Sequence, residues 1–414
     1  MIKSTVKIFT KFATFIDQGI VSGVNFLIGV LLTNFMGIET YGVFAFLWMM
    51  VLFVSSIHQA FIIAPIYTLL PKQKDTKVYF ANLLGIQLLF SFITFLSVSL
   101  IAGILIQFFI PHMELHNGVY VGLIAAVYVL HDFLRRVFFS LKKPFKSLVV
   151  DAIGYGLQPI ILLVLYSSDA LTVMSAIQGV SIVLVLGIVT GFMVYGKIQV
   201  SFKIRKTFIL HWRFSKFLVG TSLLQWVSGN FFIVMSAGLL GPIAIGVIRM
   251  AQNIVGVLHV LFLAFENSIP LQASEVLMAG GKQKMMKFFA KKIKVAFFIV
   301  AVILIGIVWF SKVIIVQLYG TQYIDYQYVL YAFCLLYVFV FIGTFLRFII
   351  RTLEYNKIIF YSYIATAIFS LLLAKTFVAT FDILGVLLGL IISQLITNGM
   401  YLLALKSEIK WLLK

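Results

Sequence analysis

Apolar residues run along this chain in blocks of about twenty or more, separated by short polar or basic clusters. Twelve such runs occur, at about 12–36, 43–70, 79–110, 118–141, 147–166, 172–196, 217–240, 243–270, 294–316, 326–353, 357–379 and 383–405. Twenty helical residues at a rise of about 1.5 Å each cover a hydrocarbon core of roughly 30 Å, so each run is long enough to cross a bilayer. Lipid offers no partner to loose backbone groups, which predicts a helix for every run. The third, uncharged from Val78 to His112, is long enough to tilt or to add an interfacial turn. Pro159, inside the fifth, predicts a kink because its ring removes one helical hydrogen bond.

Composition narrows the class further. With 62% hydrophobic residues, 11% charged residues and a mean hydropathy of +1.11, a soluble domain is excluded. Of the 32 Lys and Arg residues, 29 fall in the two tails and in alternate loops, which predicts that both termini are cytoplasmic. The net charge of +19 is therefore a topology signal, and no nucleic acid partner is expected. Lys3, Lys7 and Lys11 precede the first run as in a signal peptide, but the run lacks a small-x-small cleavage site and is expected to stay as a span. Cys334 is the single cysteine, which leaves no intrachain disulfide and no thiolate metal site. The six histidines show no metal-ligand spacing, and neither a metal nor a cofactor is expected. His58, His131 and His259 stand isolated on apolar helices and read as hydrogen-bonded interior residues, with a proton relay as the alternative.

The middle of the chain divides it. Lys197 to Lys216 holds six Lys/Arg residues and no acid, and is read as a cytoplasmic linker between an N-terminal six-helix bundle (1–196) and a C-terminal one (217–414). Short features recur across it in order. Gly37-x4-Gly42-Val43 corresponds to Gly241-x4-Gly246-Val247, Pro65 to Pro270, and Phe133-Leu134-Arg135 to Phe345-Leu346-Arg347. Because six is even, both halves enter the membrane from the same side. The expected fold is an all-α integral membrane protein with about twelve transmembrane helices, in two parallel six-helix repeats around a central cavity.

Charged and polar residues inside the runs carry the candidate chemistry. Asp132 lies three and four positions before Arg135 and Arg136 and can pair with either. These arginines, with Arg347 and Arg351, fall near the inner interface, where they either snorkel to headgroups or grip a substrate phosphate. Asp17, in the first run, is a coupling-ion candidate, with pairing to an inner-loop lysine as the other reading. Glu266 and Glu275, nearer the inner loop, are weaker candidates. Asn25, deeper in the same run as Asp17, joins the substrate-binding candidates. Arg249 is about seven residues into the eighth run, roughly 10 Å deep by helical rise, and Asn253 shares its face. Either it faces a cavity and binds substrate anions, or it reaches up to outer headgroups. Gly191 to Ile198 nearly spells a phosphate-binding loop, but Ile198 stands where Ser or Thr would hold magnesium, and an apolar span precedes it. Gly29, Gly85 and Gly103 read as close-packing positions between helices.

Gln18, the Gly37 to Gly42 turn running on through Tyr41-Gly42-Val43-Phe44, the Leu318 to Tyr323 turn and the basic ends of the fourth and tenth spans resemble those of Wzx-type polysaccharide flippases. These belong to the multidrug/oligosaccharidyl-lipid/polysaccharide exporter superfamily, and the likeness covers nearly the whole chain. The resemblance implies a bacterial inner-membrane protein that flips an undecaprenyl-diphosphate-linked oligosaccharide across the membrane by alternating access. The cargo would be an O-antigen, capsule or exopolysaccharide unit. It also implies a lipid-linked glycan and membrane lipids as partners, contact with polysaccharide assembly proteins, and a proton or sodium gradient as a driving force. A drug or cation antiporter of the same superfamily is the alternative, and could use Asp17 as its ion site. A glycan polymerase or ligase would need a sizeable outer loop for chemistry, and the outer loops here are short.

Overall fold

The computed structural model describes residues 2–110, 113–196 and 199–406, with the side chains of 2–12 and 15 outside the description. Lys197 and Ile198, the tail from 407 onward and the side chains of Lys3, Lys7 and Lys11 therefore lie outside the described residues. Among the described residues the secondary structure is helical, without strands. The order is α1 (Ile2–His58), a π-helical turn (Gln59–Ile63), α2 (Ala64–Leu69), α3 (Thr76–Phe109), α4 (Gly118–Ser140), α5 (Pro144–Gly154), α6 (Gln158–Ser167) and α7 (Val173–Tyr195). It continues with α8 (Arg205–Leu240), α9 (Pro242–Val255), α10 (Val257–Trp309), α11 (Ser311–Tyr319), α12 (Gln327–Thr352) and α13 (Lys357–Ala404).

The third, fourth, sixth and tenth expected spans coincide with α3, α4, α7 and α12 to within a few residues. Three helices are too long for one crossing. Helices α1, α10 and α13 hold 57, 53 and 48 residues, or roughly 70–85 Å at 1.5 Å per residue. Each contains a residue outside helical geometry: Gly37 in α1, Gly281 in α10 and Asp382 in α13. The first and second expected spans fall on either side of Gly37, and the eleventh and twelfth on either side of Asp382. The fifth is interrupted, with α5 ending at Gly154 and α6 starting at Gln158. Pro159 sits in the first turn of α6, where a missing N–H leaves no helical bond unmade.

Outward faces are apolar. Phe92, Leu100 and Phe108 on α3 are 58%, 66% and 75% exposed. Water would not tolerate such a surface, whereas acyl chains match it. The chain is a multi-pass membrane protein. Two of the glycines read as close-packing positions are tightly seated: a methyl at Gly85 would run into the Ser201 carbonyl, and one at Gly103 into the Leu115 carbonyl.

The chain forms two compact units, residues 1–223 and 224–414, whose boundary falls inside α8. In the first unit α4 is the hub, packed against α1, α3, α5 and α7. From Arg205 the basic stretch is already helix, and this part of α8 is docked on the first unit. His211 is buried there, with Nε2 2.8 Å from the Tyr79 hydroxyl and Nδ1 3.4 Å from the Phe61 carbonyl. A carbonyl can only accept, so Nδ1 donates and the tyrosine hydroxyl donates to Nε2. In the second unit α12 packs against α9, α10 and α13.

Gly37 and Gly241, paired in the sequence repeat, have the same backbone conformation. Their φ, ψ angles are 78°, 172° and 80°, −175°. Only glycine adopts this region readily, and Gly241 uses it to turn the chain from α8 into α9. A Gly241→Ala substitution should cost about 1–3 kcal/mol, since this geometry strains any Cβ. Gly220→Ala, in the interior of α8 with open space around a new methyl, should be neutral or stabilising by about 0.5–1 kcal/mol. Thermal unfolding of the two variants in detergent checks this, and equal stability would contradict the assignment.

Candidate functional site

Inside the first unit, an ionic cluster is built where α4 meets its neighbours. Asp17 (α1), His58 (α1), His131, Asp132 and Arg135 (α4) and Asp151 (α5) are each 5% exposed or less. Arg135 lies at the centre. Its Nε donates to Asp151 Oδ2 at 2.6 Å and its Nη2 to Asp17 Oδ2 at 2.9 Å, while Nη1 is 3.8 Å from Asp132 Oδ1. One planar guanidinium thus ties three helices together, which a lysine's point charge could not do in the same geometry. Asp132 also accepts from Arg136 Nε at 3.3 Å and from Gln59 Nε2 in the π-helical turn.

The histidines complete the cluster. His58 Nε2 is 2.8 Å from Gln87 Oε1, and Gln87 donates in turn to Ser91. Since the amide oxygen only accepts, Nε2 holds a proton, and Nδ1 faces Asp132 Oδ2 at 3.6 Å. His131 sits in a slot cut by two glycines: a methyl on Gly154 or Gly187 would overlap its ring. Its Nε2 lies 3.9 Å from Asp151 Oδ1, and its ring meets Tyr155 edge-on.

Charge counting is informative at this burial. Among the described residues, three carboxylates face two guanidiniums, so neutral histidines leave one negative charge over. The open atoms are Asp17 Oδ1, Asp151 Oδ1, His58 Nδ1 and both ring nitrogens of His131, all buried with no hydrogen-bond partner among the described residues. Both Asp17 and Asp151 also bond the same guanidinium. One proton on any of these atoms brings the cluster to neutrality. A metal ion would need a shell of ligands, and among the described residues no three His, Cys, Asp or Glu side chains are grouped to provide one.

The other site candidates lie elsewhere. Arg136 has 34% of its side chain exposed. In the second unit, α9 buries Ile248, Ala251 and Val255 and leaves Arg249 and Asn253 half-exposed. Arg249 Nη1 donates to Gln252 Oε1 at 2.8 Å, and Asn253 Nδ2 to the buried Tyr319 hydroxyl at 2.8 Å. Arg351 Nη1 donates to Glu266 Oε1 at 2.6 Å, both side chains being well exposed. Arg347 is half-buried with no ion pair among the described residues, and Asn25 is exposed on α1. The structure therefore gathers Asp17, Arg135 and Arg136 with Asp132 into one network. It places Arg249 beside Asn253, and Arg351 against Glu266.

Asp17 was expected to meet a coupling cation or an inner-loop lysine, and its observed partner is Arg135. Arg135 was expected near the inner interface, either snorkelling to headgroups or gripping a phosphate, and its donors face carboxylates in the interior. Asp151, Gln59 and Gln87 were missed as members. The usable signal was that acids within apolar runs require cations, and only Arg135 and Arg136 supply guanidiniums within the first six runs.

Sequence comparison matches no family model and no curated protein. Comparison of structures does find matches. An inward-facing multidrug resistance MATE family transporter of the MOP superfamily superposes with a TM-score of 0.75 at 13% identity, covering 95% of each chain. The lipid II flippase MurJ in an inward closed conformation gives 0.66 at 15% identity, over 98% of this chain and 90% of that one. A MOP superfamily transporter from Pyrococcus furiosus gives 0.58 at 12% identity, over 99% and 94%. The chain shares the fold of these proteins. The solved proteins that share it are transporters and a flippase.

Removing Arg135 should be costly because it strands buried carboxylates. Arg135→Leu should lose about 3–5 kcal/mol of stability, whereas Asp17→Asn, which balances two acids against two arginines, should lose about 1 kcal/mol. Unfolding of both variants in detergent measures the difference, and an Arg135→Leu protein as stable as wild type would contradict the network.

Proposed function

We propose that this protein flips an undecaprenyl-diphosphate-linked oligosaccharide, an O-antigen, capsule or exopolysaccharide unit, across the bacterial inner membrane. The observation that carries the reading is the sorting of charge within the spans. The acids Asp17, Asp132 and Asp151 are buried and engaged with arginine, while Arg136, Arg249 and Arg351 are half-exposed or exposed, and the exposed Glu266 is paired with Arg351. Accessible charge in the spans is thus mainly cationic, which suits a diphosphate and acidic sugars and repels a cationic drug. Arg249, roughly 10 Å deep by helical rise, offers the planar fork that recognises phosphate or carboxylate oxygens. Arg136, Arg347 and Arg351 attract the same group near the inner interface. Asn25 and Asn253 add neutral hydrogen bonds.

In this reading Arg135 organises the acids, and Asp17 with its neighbours carries the coupling proton. Loss of the proton leaves the cluster one negative charge over, a state that a low-dielectric interior disfavours. That imbalance suits a cycle driven by a cation gradient, and a proton is the cation favoured here. Both termini are placed on the cytoplasmic side, in line with the basic loops.

The alternative is a drug or cation antiporter. The structural likeness to a multidrug MATE transporter favours it. The two readings separate in a deletion strain: the flippase reading expects lipid-linked glycan to accumulate, and the antiporter reading expects drug sensitivity with an unchanged glycan pool.

Complementation then tests Arg249. Wild type should restore export, and Arg249→Ala at normal abundance should export about ten- to a hundredfold less, the loss of about 1.5–3 kcal/mol of charge-assisted bonding. Arg249→Lys should keep part of the activity, because charge survives without the fork. Normal export by the alanine variant would remove Arg249 from the site.

A further inference from the structure

Helices α9 and α10 carry a second pattern that the charged residues alone do not reveal. Arg249, Gln252, Gly256, His259, Leu263 and Glu266 recur at alternating steps of three and four residues, the spacing that keeps a single face in line. Only Leu263 on this line is aliphatic. The face is continuous because Gly256, between the two helices, keeps near-helical angles (φ −58°, ψ −21°). From Arg249 to Glu266 it extends for about 26 Å by helical rise, most of a hydrocarbon core of about 30 Å.

The two sides of this helix differ in kind. Ile248, Ala251, Val255 and Leu258 are fully buried in the second unit's core, whereas His259 is exposed and Gln252 and Glu266 are half-exposed. Each polar side chain is held by a partner from the same unit. Gln252 accepts from Arg249, His259 Nε2 lies 2.8 Å from the Tyr337 hydroxyl, and Glu266 accepts from Arg351. Such a row facing acyl chains would cost several kcal/mol, since a single charged side chain at mid-membrane costs about 2.5–3.5 kcal/mol. Although Val257 and Val260 beside it are exposed too, the row suits water or a polar solute better than acyl chains.

We propose that this face is a binding track for the polyhydroxyl part of the cargo, its sugars, with Arg249 taking an anionic group at its outer end. The inference rests on the flippase reading above. Its chemistry supports the occupant. Between the arginines lie neutral donors and acceptors, an amide and an imidazole, which match hydroxyl groups that both donate and accept. The track's carboxylate, Glu266, is engaged by Arg351, so it presents no free acid to a cationic drug. Tyr337 is a positioning residue that fixes the His259 ring.

Two measurements test the track separately from the flippase reading. In a Cys334→Ser background, Gln252→Cys and His259→Cys should react with a charged, water-soluble thiol reagent at least about tenfold faster than Phe298→Cys and Ile305→Cys. The two controls are on outward apolar positions of α10, 70% and 64% exposed. Equal, slow labelling at all four would place the face in lipid and overturn the proposal. In the deletion strain, Gln252→Leu and His259→Leu at normal abundance should each lower glycan export several-fold. Tyr337→Phe should weaken export less than His259→Leu, with fold and abundance retained. If deletion stops export but both leucine variants export normally, the track is wrong and the flippase reading stands. A deletion strain with an unchanged glycan pool removes the flippase reading and the sugar occupant with it, whatever the thiols report.

Discussion

Arg135 is the point on which the first unit depends. In a bilayer, a buried charge has no water to fall back on, so each one must be answered by a neighbour in the same protein. This guanidinium answers two carboxylates directly and a third at longer range, and they arrive from α1, α4 and α5. Through Asp132 the same network reaches the π-helical turn at Gln59, and through His58 it reaches Gln87 on α3. A π turn is uncommon, and tends to occur where a helix must place a side chain off its regular register. Here it sits where Gln59 and His58 both meet Asp132. Packing and electrostatics are therefore one problem in this unit: the glycines at 154 and 187 that admit His131 also bring α5 and α7 close to the acids.

The second unit handles charge differently. Its Arg347 corresponds to Arg135 in the repeated Phe-Leu-Arg motif, yet among the described residues it has no carboxylate partner, while Arg351 uses an exposed one. Ser, Thr, Asn and Tyr contacts do the inward polar work instead, such as Ser228 with Thr366 and Asn398 with the Phe339 carbonyl. The row from Arg249 to Glu266 is turned outward from that unit's core. Within the spans, the first unit buries its acids against Arg135, and the second leaves Arg249, Arg351 and Glu266 partly exposed. The proposed function rests on that contrast where it gives coupling to the first unit and cargo recognition to the second.

Much of the fold is readable from the apolar runs, because a helix that spans lipid has few other solutions. The breaks at Gly37 and Gly241 are also legible, since the repeated glycine motif marks a backbone geometry that needs glycine. The start of α8 at Arg205 is not: Lys and Arg are good helix formers, so a basic stretch looks like a loop only by its charge. The site is half legible. Asp132 beside Arg135 and Arg136 can be seen along one helix, but Asp17 and Asp151 meet Arg135 across helix packing that no local spacing encodes. The track on α9 and α10 is present in the sequence as a three-and-four recurrence. It is hidden there because Gly256 and Leu263 dilute its polarity.

The central claim is that the Arg135 cluster binds one exchangeable proton, and a proton count tests it directly. Protons bound per chain would be counted by titration in detergent for the wild-type protein and the Asp17→Asn variant. The account predicts that wild type releases one more proton per chain than the variant, whose acids and arginines already balance. Superimposable titration curves would contradict it.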